Sequence, residues 1–189
     1  TEGGTVAREA KRRSARDIPA RAVSDTDREV MLYALAGGAG TEGGASDLDL
    51  VYEDKLKAVP SFANSLAFDD SWLPSGGVEL SNVVHGSLDL TFHAPLASAG
   101  TARIGARLAG VIDKGEGRGG IIVQETSIEQ DDRKVCTSVS SLFVRGGGGF
   151  GGSTGMQPQP VKLPDRSPDI TIVVPTVRSQ ASLCRLLCD

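Results

Sequence analysis

From about residue 83 the apolar period of the chain becomes two, and this alternation constrains the fold more than any other feature. Residues 101–110 carry it most clearly: Ala102, Ile104, Ala106 and Leu108 share one face, while Thr101, Arg103 and Arg107 share the other. Successive side chains of a strand point to opposite faces, so this segment reads as a half-buried antiparallel strand. Residues 88–94 (LDLTFHA) alternate in the same way, and 119–128 (GGIIVQETSI) form another strand. A polar turn at 130–134 (QDDRK) leads into a long last strand over 135–145.

One clear helix precedes these strands. Ser24 and Asp27 form a capping-box pattern, Asp25 and Asp27 sit near the positive helix end, and the apolar stretch 30–35 follows until Gly37 and Gly38 stop it. Residues 48–52 (LDLVY) read as a short strand, and Pro60 opens a short helix over 61–68. A helix followed by an antiparallel sheet makes an α+β domain over 23–152, with 1–22 as a weakly ordered lead-in. Pro158, Pro160, Pro164 and Pro168 make 153–169 a linker. Residues 170–174 (ITIVV) then begin a strand and 180–187 a helix, so 170–189 reads as the opening of a second domain.

Composition narrows the function classes. Net charge is −4, which gives no general attraction to phosphate backbones, and aromatic content of 4% provides no base-stacking surface. Nucleic acid is therefore not an expected partner. The dense basic stretch from Arg8 to Arg21 is interrupted by Glu9 and Asp17 and reads as a solvated tail or helix face. No apolar run reaches the length of a membrane span, and no secretory signal is visible. Three cysteines without framework spacing fit a reducing compartment.

Glycine, at 24 residues, clusters at 37–44, 115–120 and 146–155. Two stretches match Gly-x-Gly-x-x-Gly, at Gly115, Gly117, Gly120 and at Gly147, Gly149, Gly152. A dinucleotide loop needs a strand before and a helix after, and here a strand and a proline linker follow instead. Cys184 and Cys188 supply only two of the ligands a metal site needs and read as helix-packing thiols. His93 reads as a surface or edge histidine. His85, followed by Gly86 just before a strand, is the more interesting of the two histidines; on spacing alone it reads as structural.

Six segments in order, MLYALAGGAG (31–40), LDLVYEDKLKAVPSFA (48–63), VVHG (83–86), HAPLASAGT (93–101), DKGEG (113–117) and SLFVRGGGGFGG (141–152), resemble a known family. They are similar to the N-terminal half of the double hot-dog MaoC-like enzymes, the (R)-specific 2-enoyl-CoA hydratases type 2. The resemblance implies a hot-dog fold, an antiparallel sheet wrapped around a helix, with two such units joined by a linker. It implies addition of water to a trans-2-enoyl-CoA to give the (3R)-hydroxyacyl-CoA, and the reverse dehydration. An Asp and a His activate the water, and no metal or redox cofactor is needed. Backbone N–H groups would stabilise the enolate-like thioester oxygen.

In that family the catalytic pair lies in the second unit, in Tyr-Arg-Leu-x-Gly-Asp-x-Asn-Pro-x-His. The present chain reads Cys184-Arg185-Leu186-Leu187-Cys188-Asp189 and stops. Asp189 matches the catalytic Asp and Arg185 the motif arginine, assigned to substrate binding; the catalytic His is absent. Cys184 replaces the motif Tyr and Cys188 the Gly. In the first unit the resemblance assigns acyl-CoA binding to His85, Gly86 and Lys114, with Ser87 and Leu88 where the family has Glu-Gln.

By this resemblance the chain supplies the acyl-CoA-binding half of a hydratase and by itself has little or no hydratase activity. The alternative is a non-catalytic acyl-CoA-binding module or subunit whose partner provides the catalytic hot dog; a thioesterase is a weaker third reading. The partner is a second hot-dog unit or a second copy in a homodimer, since the uncovered apolar groove should promote self-association. The setting is cytoplasmic in a bacterium and peroxisomal in a eukaryote.

Overall fold

The computed structural model describes residues 17–40, 47–174 and 176–187. Five long strands make one antiparallel sheet: β1 (Asp17–Asp25), β2 (Val83–Phe92), β3 (Gly100–Asp113), β4 (Gly120–Gln130) and β5 (Arg133–Val144). Their order is β1-β3-β4-β5-β2, and a short β6 (Thr154–Gly155) pairs with β3 beyond the end of β1. The helices are α1 (Asp27–Ala36), α2 (Leu48–Val51), α3 (Phe62–Ala67), α4 (Trp72–Ser75) and α5 (Gln180–Arg185).

The alternation over 101–110 sets the core. Ala102 and Ile104 of β3, with Ile128 and Cys136 across the sheet, pack against Val30 of α1 and Phe62, Ala63 and Leu66 of α3. A second cluster joins Leu108, Val111, Ile122 and Val144 to Leu73 of α4, Val78 and Phe150. Between them a buried polar chain crosses the same face: the Trp72 indole N–H donates to Gln124 (2.9 Å), whose amide donates to Thr126 (3.1 Å). Burying these groups is tolerable because each finds a partner. The opposite face of β3 and β4 carries the Arg107–Glu125 ion pair, bidentate at 3.0 and 2.7 Å.

The register slips by one residue in β1, β2, β3 and β5, and the slips in β3 and β2 bear on the site. In β3 the pairing slips between Leu108 and Gly110, so that Val111 continues the buried row begun by Ala102, while Ala109 and Ile112 join Val123 in a cluster of their own. In β2 the slip falls between His85 and Ser87. Each is a bulge, one extra residue on one strand.

The structure corrects several expectations. The lead-in read over 1–22 contains most of β1 from Asp17, since 17–25 pair with β3; residues 1–16 lie outside those described. Ser24 therefore lies in a strand, with its hydroxyl on that of Thr101 (2.9 Å). The helix cap falls two residues later: the Thr26 N–H donates to Glu29 (2.9 Å), and the Thr26 hydroxyl bonds the same carboxylate. Arg21, read as part of a solvated basic run, donates to the carbonyls of Leu66 (2.9 Å) and Phe68 (2.8 Å) and satisfies the end of α3. Residues 48–51 form a single helical turn instead of a strand, closed by the Tyr52 N–H to Leu48 carbonyl bond of 3.0 Å. Residues 170–174 form no strand: among the described residues no strand pairs with them, and Ile170, Ile172, Val173 and Val174 are all exposed.

Candidate functional site

Four strand ends meet where the family resemblance assigns binding residues. Asp113, Gly120, Val144 and Val83 lie in one row across β3, β4, β5 and β2. One step inward, Val111, Ile122, Leu142 and His85 form the next row. His85 thus occupies the helix-side face at the exposed β2 edge, and Lys114 follows directly on the end of β3.

Gly86 is the bulge residue, and there is little room for a side chain on it. A Cβ there would sit 2.8 Å from the Ser141 hydroxyl and 3.2 Å from the Ser141 carbonyl. The bulge brings Ser87 onto Ser141, with their hydroxyls 2.7 Å apart. His85 and Leu90 consequently face the same side although they are an odd number of residues apart.

Lys114 opens the β3–β4 hairpin, where its N–H donates to the Gly119 carbonyl at 3.2 Å and its side chain is exposed. The residue that organises this corner is its neighbour, Asp113. Its carboxylate accepts the N–H groups of Gly115 (2.8 Å), Gly149 (2.8 Å) and Gly151 (2.7 Å). The backbone bond from Gly149 is the largest cause holding this carboxyl down at about 2, followed by that from Gly115. The two glycine clusters interlock around it. A Cβ on Gly148 would lie 2.3 Å from the carbonyls of both Gly115 and Gly119, so only glycine admits this approach. The Gly-x-Gly-x-x-Gly patterns are thereby accounted for as two turns packed on one another. In the sequence Asp113 stands out only as the first residue of DKGEG, an Asp directly before a glycine-rich turn.

Arg185 lies on α5, which packs against α1; Gln180 of the same helix donates to the Ala36 carbonyl at 3.3 Å. Asp189 and Cys188 lie outside the described residues. Cys184 is exposed on α5, whereas Cys136 is buried in the core, where burial pushes its thiol up. His93 bonds the Thr137 hydroxyl (2.8 Å) at the surface.

A second region, missed from sequence, lies along α1. Two clefts flank that helix, of about 410 and 420 Å³, and Leu187 lines both. The first is bordered by Asp25, Arg28, Glu29, Phe62, Leu66 and Leu186, among others. Asp25 is 7% exposed, and among the described residues neither carboxyl oxygen has a hydrogen-bond partner. Burial raises its pKa above the ordinary value, and the nearby Glu29 charge raises it further.

The comparisons with known proteins agree with the fold. The model of the MFE-2 hydratase 2 N-terminal domain matches residues 24–146. The 3-hydroxyacyl-thioester dehydratase Y of Mycobacterium tuberculosis is 34% identical over 168 residues, covering 87% of this chain and 58% of the relative. Enoyl-CoA hydratase ChsH3 of the same organism is 33% identical over 180 residues, covering 91% and 62%. A crystal structure of a MaoC-like dehydratase from Phytophthora capsici superposes with a TM-score of 0.79 at 25% identity, covering 94% of this chain and 64% of that one. The chain thus spans about three fifths of the length of these proteins. Its sheet and helices are those of a hot-dog fold, and the chain belongs to the MFE-2 hydratase 2 N-terminal domain family.

Proposed function

We propose that this chain is the acyl-CoA-binding half of an (R)-specific 2-enoyl-CoA hydratase, the reaction running equally as dehydration of a 3-hydroxyacyl-CoA. The observation that carries the reading is the match of residues 24–146 to the hydratase 2 N-terminal domain, together with His85, Gly86 and Lys114 at one end of the sheet. His85 contributes a ring nitrogen to the thioester end of the substrate, the Gly86 bulge holds that ring on the helix-side face, and Lys114 offers a mobile ammonium to the polar tail. Arg185 assists substrate binding, and Asp189 is the carboxylate that, with a His of the second unit, activates water. The chemistry is acid–base throughout and draws on no metal or redox cofactor.

Tested by themselves, residues 1–189 bind enoyl-CoA and turn it over slowly or not at all, because the His of the family motif is not among them. Titrating it with crotonyl-CoA and a longer enoyl-CoA, by calorimetry for binding and ultraviolet absorbance for hydration, tests both statements. Saturable binding without turnover is expected; turnover at a rate typical of enzymes overturns the inactive-half reading, and absence of binding overturns the acyl-CoA reading.

A subunit that needs a catalytic partner is the second reading. It is favoured by the β2 edge, where Val84 and Phe92 are exposed, and by the exposed apolar segment 170–174. Hydration restored on mixing with a second hot-dog unit would support it. Relatives include peroxisomal multifunctional enzymes of Drosophila melanogaster and mouse, and a peroxisomal setting applies to this chain if its source is eukaryotic, a cytoplasmic one if bacterial.

A further inference from the structure

Asp25 ends β1 opposite Gly100 of β3 and borders one of the two clefts beside α1. Its carboxyl oxygens are buried and accept no hydrogen bond from the described residues. Ionising such a group is costly unless water reaches it, so one wall of the cleft has to give way when the charge forms. Three walls are fixed. β1 is paired along β3, α1 is anchored by the buried Val30, and α3 by the buried Phe62 and Leu66. The fourth wall is Leu186 and Leu187, which follow α5. That segment is lightly held. α5 has six residues; Gln180, Leu183 and Leu187 are only half-buried, and Leu186 is 71% exposed. The Gln180 amide reaches the Ala36 carbonyl of α1 at 3.3 Å. Residues 159–174, which lead to the segment, are exposed throughout, so it can leave α1 without disturbing the sheet or the core.

We propose that Asp25 works a pH-operated latch: the neutral carboxyl lets Leu186 and Leu187 close the cleft, and the ionised one releases the segment from Gln180 to Leu187. The proton lost goes to solvent. Arg28 and Glu29 of α1 are the charged side chains that border the cleft. α3 meets it with Phe62, Ser65 and Leu66, the docked segment with Leu186 and Leu187, and β3 pairs Gly100 with Asp25; none of these is charged. Glu29 is tied to the Thr26 cap, and Arg28 is exposed. Burial is the largest cause raising the Asp25 pKa above its ordinary value, and the Glu29 charge adds to it. The docked state, in which the carboxyl is covered, therefore holds the proton more tightly than the open one. Docking is favoured at acid pH and is lost as pH rises through the docked-state value. The latch lies at the end of the sheet opposite the row of Val111 and His85. Release frees Arg185 to leave that end; this consequence rests on the acyl-CoA reading, whereas the latch rests on Asp25 and its cleft.

Millisecond hydrogen exchange on residues 1–189, corrected for the intrinsic rate at each pH, reads the latch. Between pH 4 and pH 8 the protection of 180–187 relative to β4 should fall by about fivefold or more. In Asp25→Asn it should stay level. Level protection in the unaltered protein would overturn the latch, and so would an equal fall in Asp25→Asn, which assigns the effect to another group. Leu187→Ser supplies an independent reading that does not depend on the folding of Asp25→Asn. Uncovering the cleft should bring the carbon-13 titration of Asp25 down towards the ordinary carboxyl value, and an unmoved titration would overturn the coupling. None of these measurements involves a thioester, so a failure of the latch and a failure of the acyl-CoA reading are told apart.

Discussion

Asp113 and Asp25 are carboxyls at opposite extremes of satisfaction. Asp113 ends β3 and takes three backbone N–H bonds from two turns far apart in sequence. Asp25 ends β1, is buried, and takes no hydrogen bond on either oxygen from the described residues. One stabilises its surroundings only when charged, whereas the other is tolerated best when neutral. The same side chain therefore fastens one corner of the domain and leaves a fault beside α1. The fastened corner carries Lys114, and His85 and Gly86 lie at the same end of the sheet beyond β4 and β5, which fits a binding platform that must hold its shape. The strained position lies along a cleft bordered by Leu186 and Leu187, where a segment rests on α1.

The largest effect should come from breaking the fastened corner sterically. Gly148→Ala forces a methyl group against two carbonyls and should cost about 3 kcal/mol, an overpacking penalty with little room to relax; chemical denaturation measures it. Asp113→Asn should come next, lowering the melting temperature at neutral pH and weakening binding of CoA thioesters. The pH dependence has a definite sign. The folded-state pKa of Asp113 is depressed to about 2, so its stabilisation is complete above the unfolded value and fades as pH falls from near 4 towards 2. The variant should lose that part of the acid dependence, and a melting series at several pH values reads it directly.

Asp25→Asn should act in the opposite direction. A carboxyl whose folded-state pKa is raised favours the folded state at acid pH and loses that contribution as pH rises through the folded value. Removing the charge should therefore stabilise the protein at pH 7 by about 1 kcal/mol, with little gain at pH 3. An unchanged melting temperature at pH 7 would show that the Asp25 carboxylate is better solvated than its burial implies. The smallest effect is expected for Glu29→Gln, which keeps the capping-box geometry but removes the like charge beside Asp25. Stability should change by a few tenths of a kcal/mol, while the carbon-13 titration of the Asp25 carboxyl moves to lower pH.

The sheet was legible because burial imposes a period: Ala102, Ile104 and Leu108 mark their faces without any knowledge of the partners. Hairpin polarity gave the turn after β4, where Asp131 and Asp132 adopt positive φ. β1 was missed because its pairing with Gly100–Arg107 is a long-range event that the arginine-rich local sequence conceals. The strand expected over 48–52 failed for the complementary reason, since five alternating residues without a neighbouring strand fit one helical turn as well. The family's segments brought His85, Gly86 and Lys114 into view. Nothing local marked Asp113 as the hub, because its three donors come from two turns that meet only after the sheet has formed. Asp25 was read as a helix-end charge, and its burial depends on packing that no single segment encodes.

The bulge at Gly86 divides β2 into two reading frames. Upstream of it odd-numbered residues turn towards the helices; downstream even-numbered ones do. His85 belongs to the first frame and Leu90 to the second, and the extra glycine keeps both on one side. Deleting Gly86 would close the bulge and leave every side chain on the face it now occupies, because His85 and Ser87 already pair with the consecutive residues Leu142 and Ser141. An alignment of this strand to any protein lacking the bulge needs its gap at Gly86, inside an element where gaps are ordinarily forbidden.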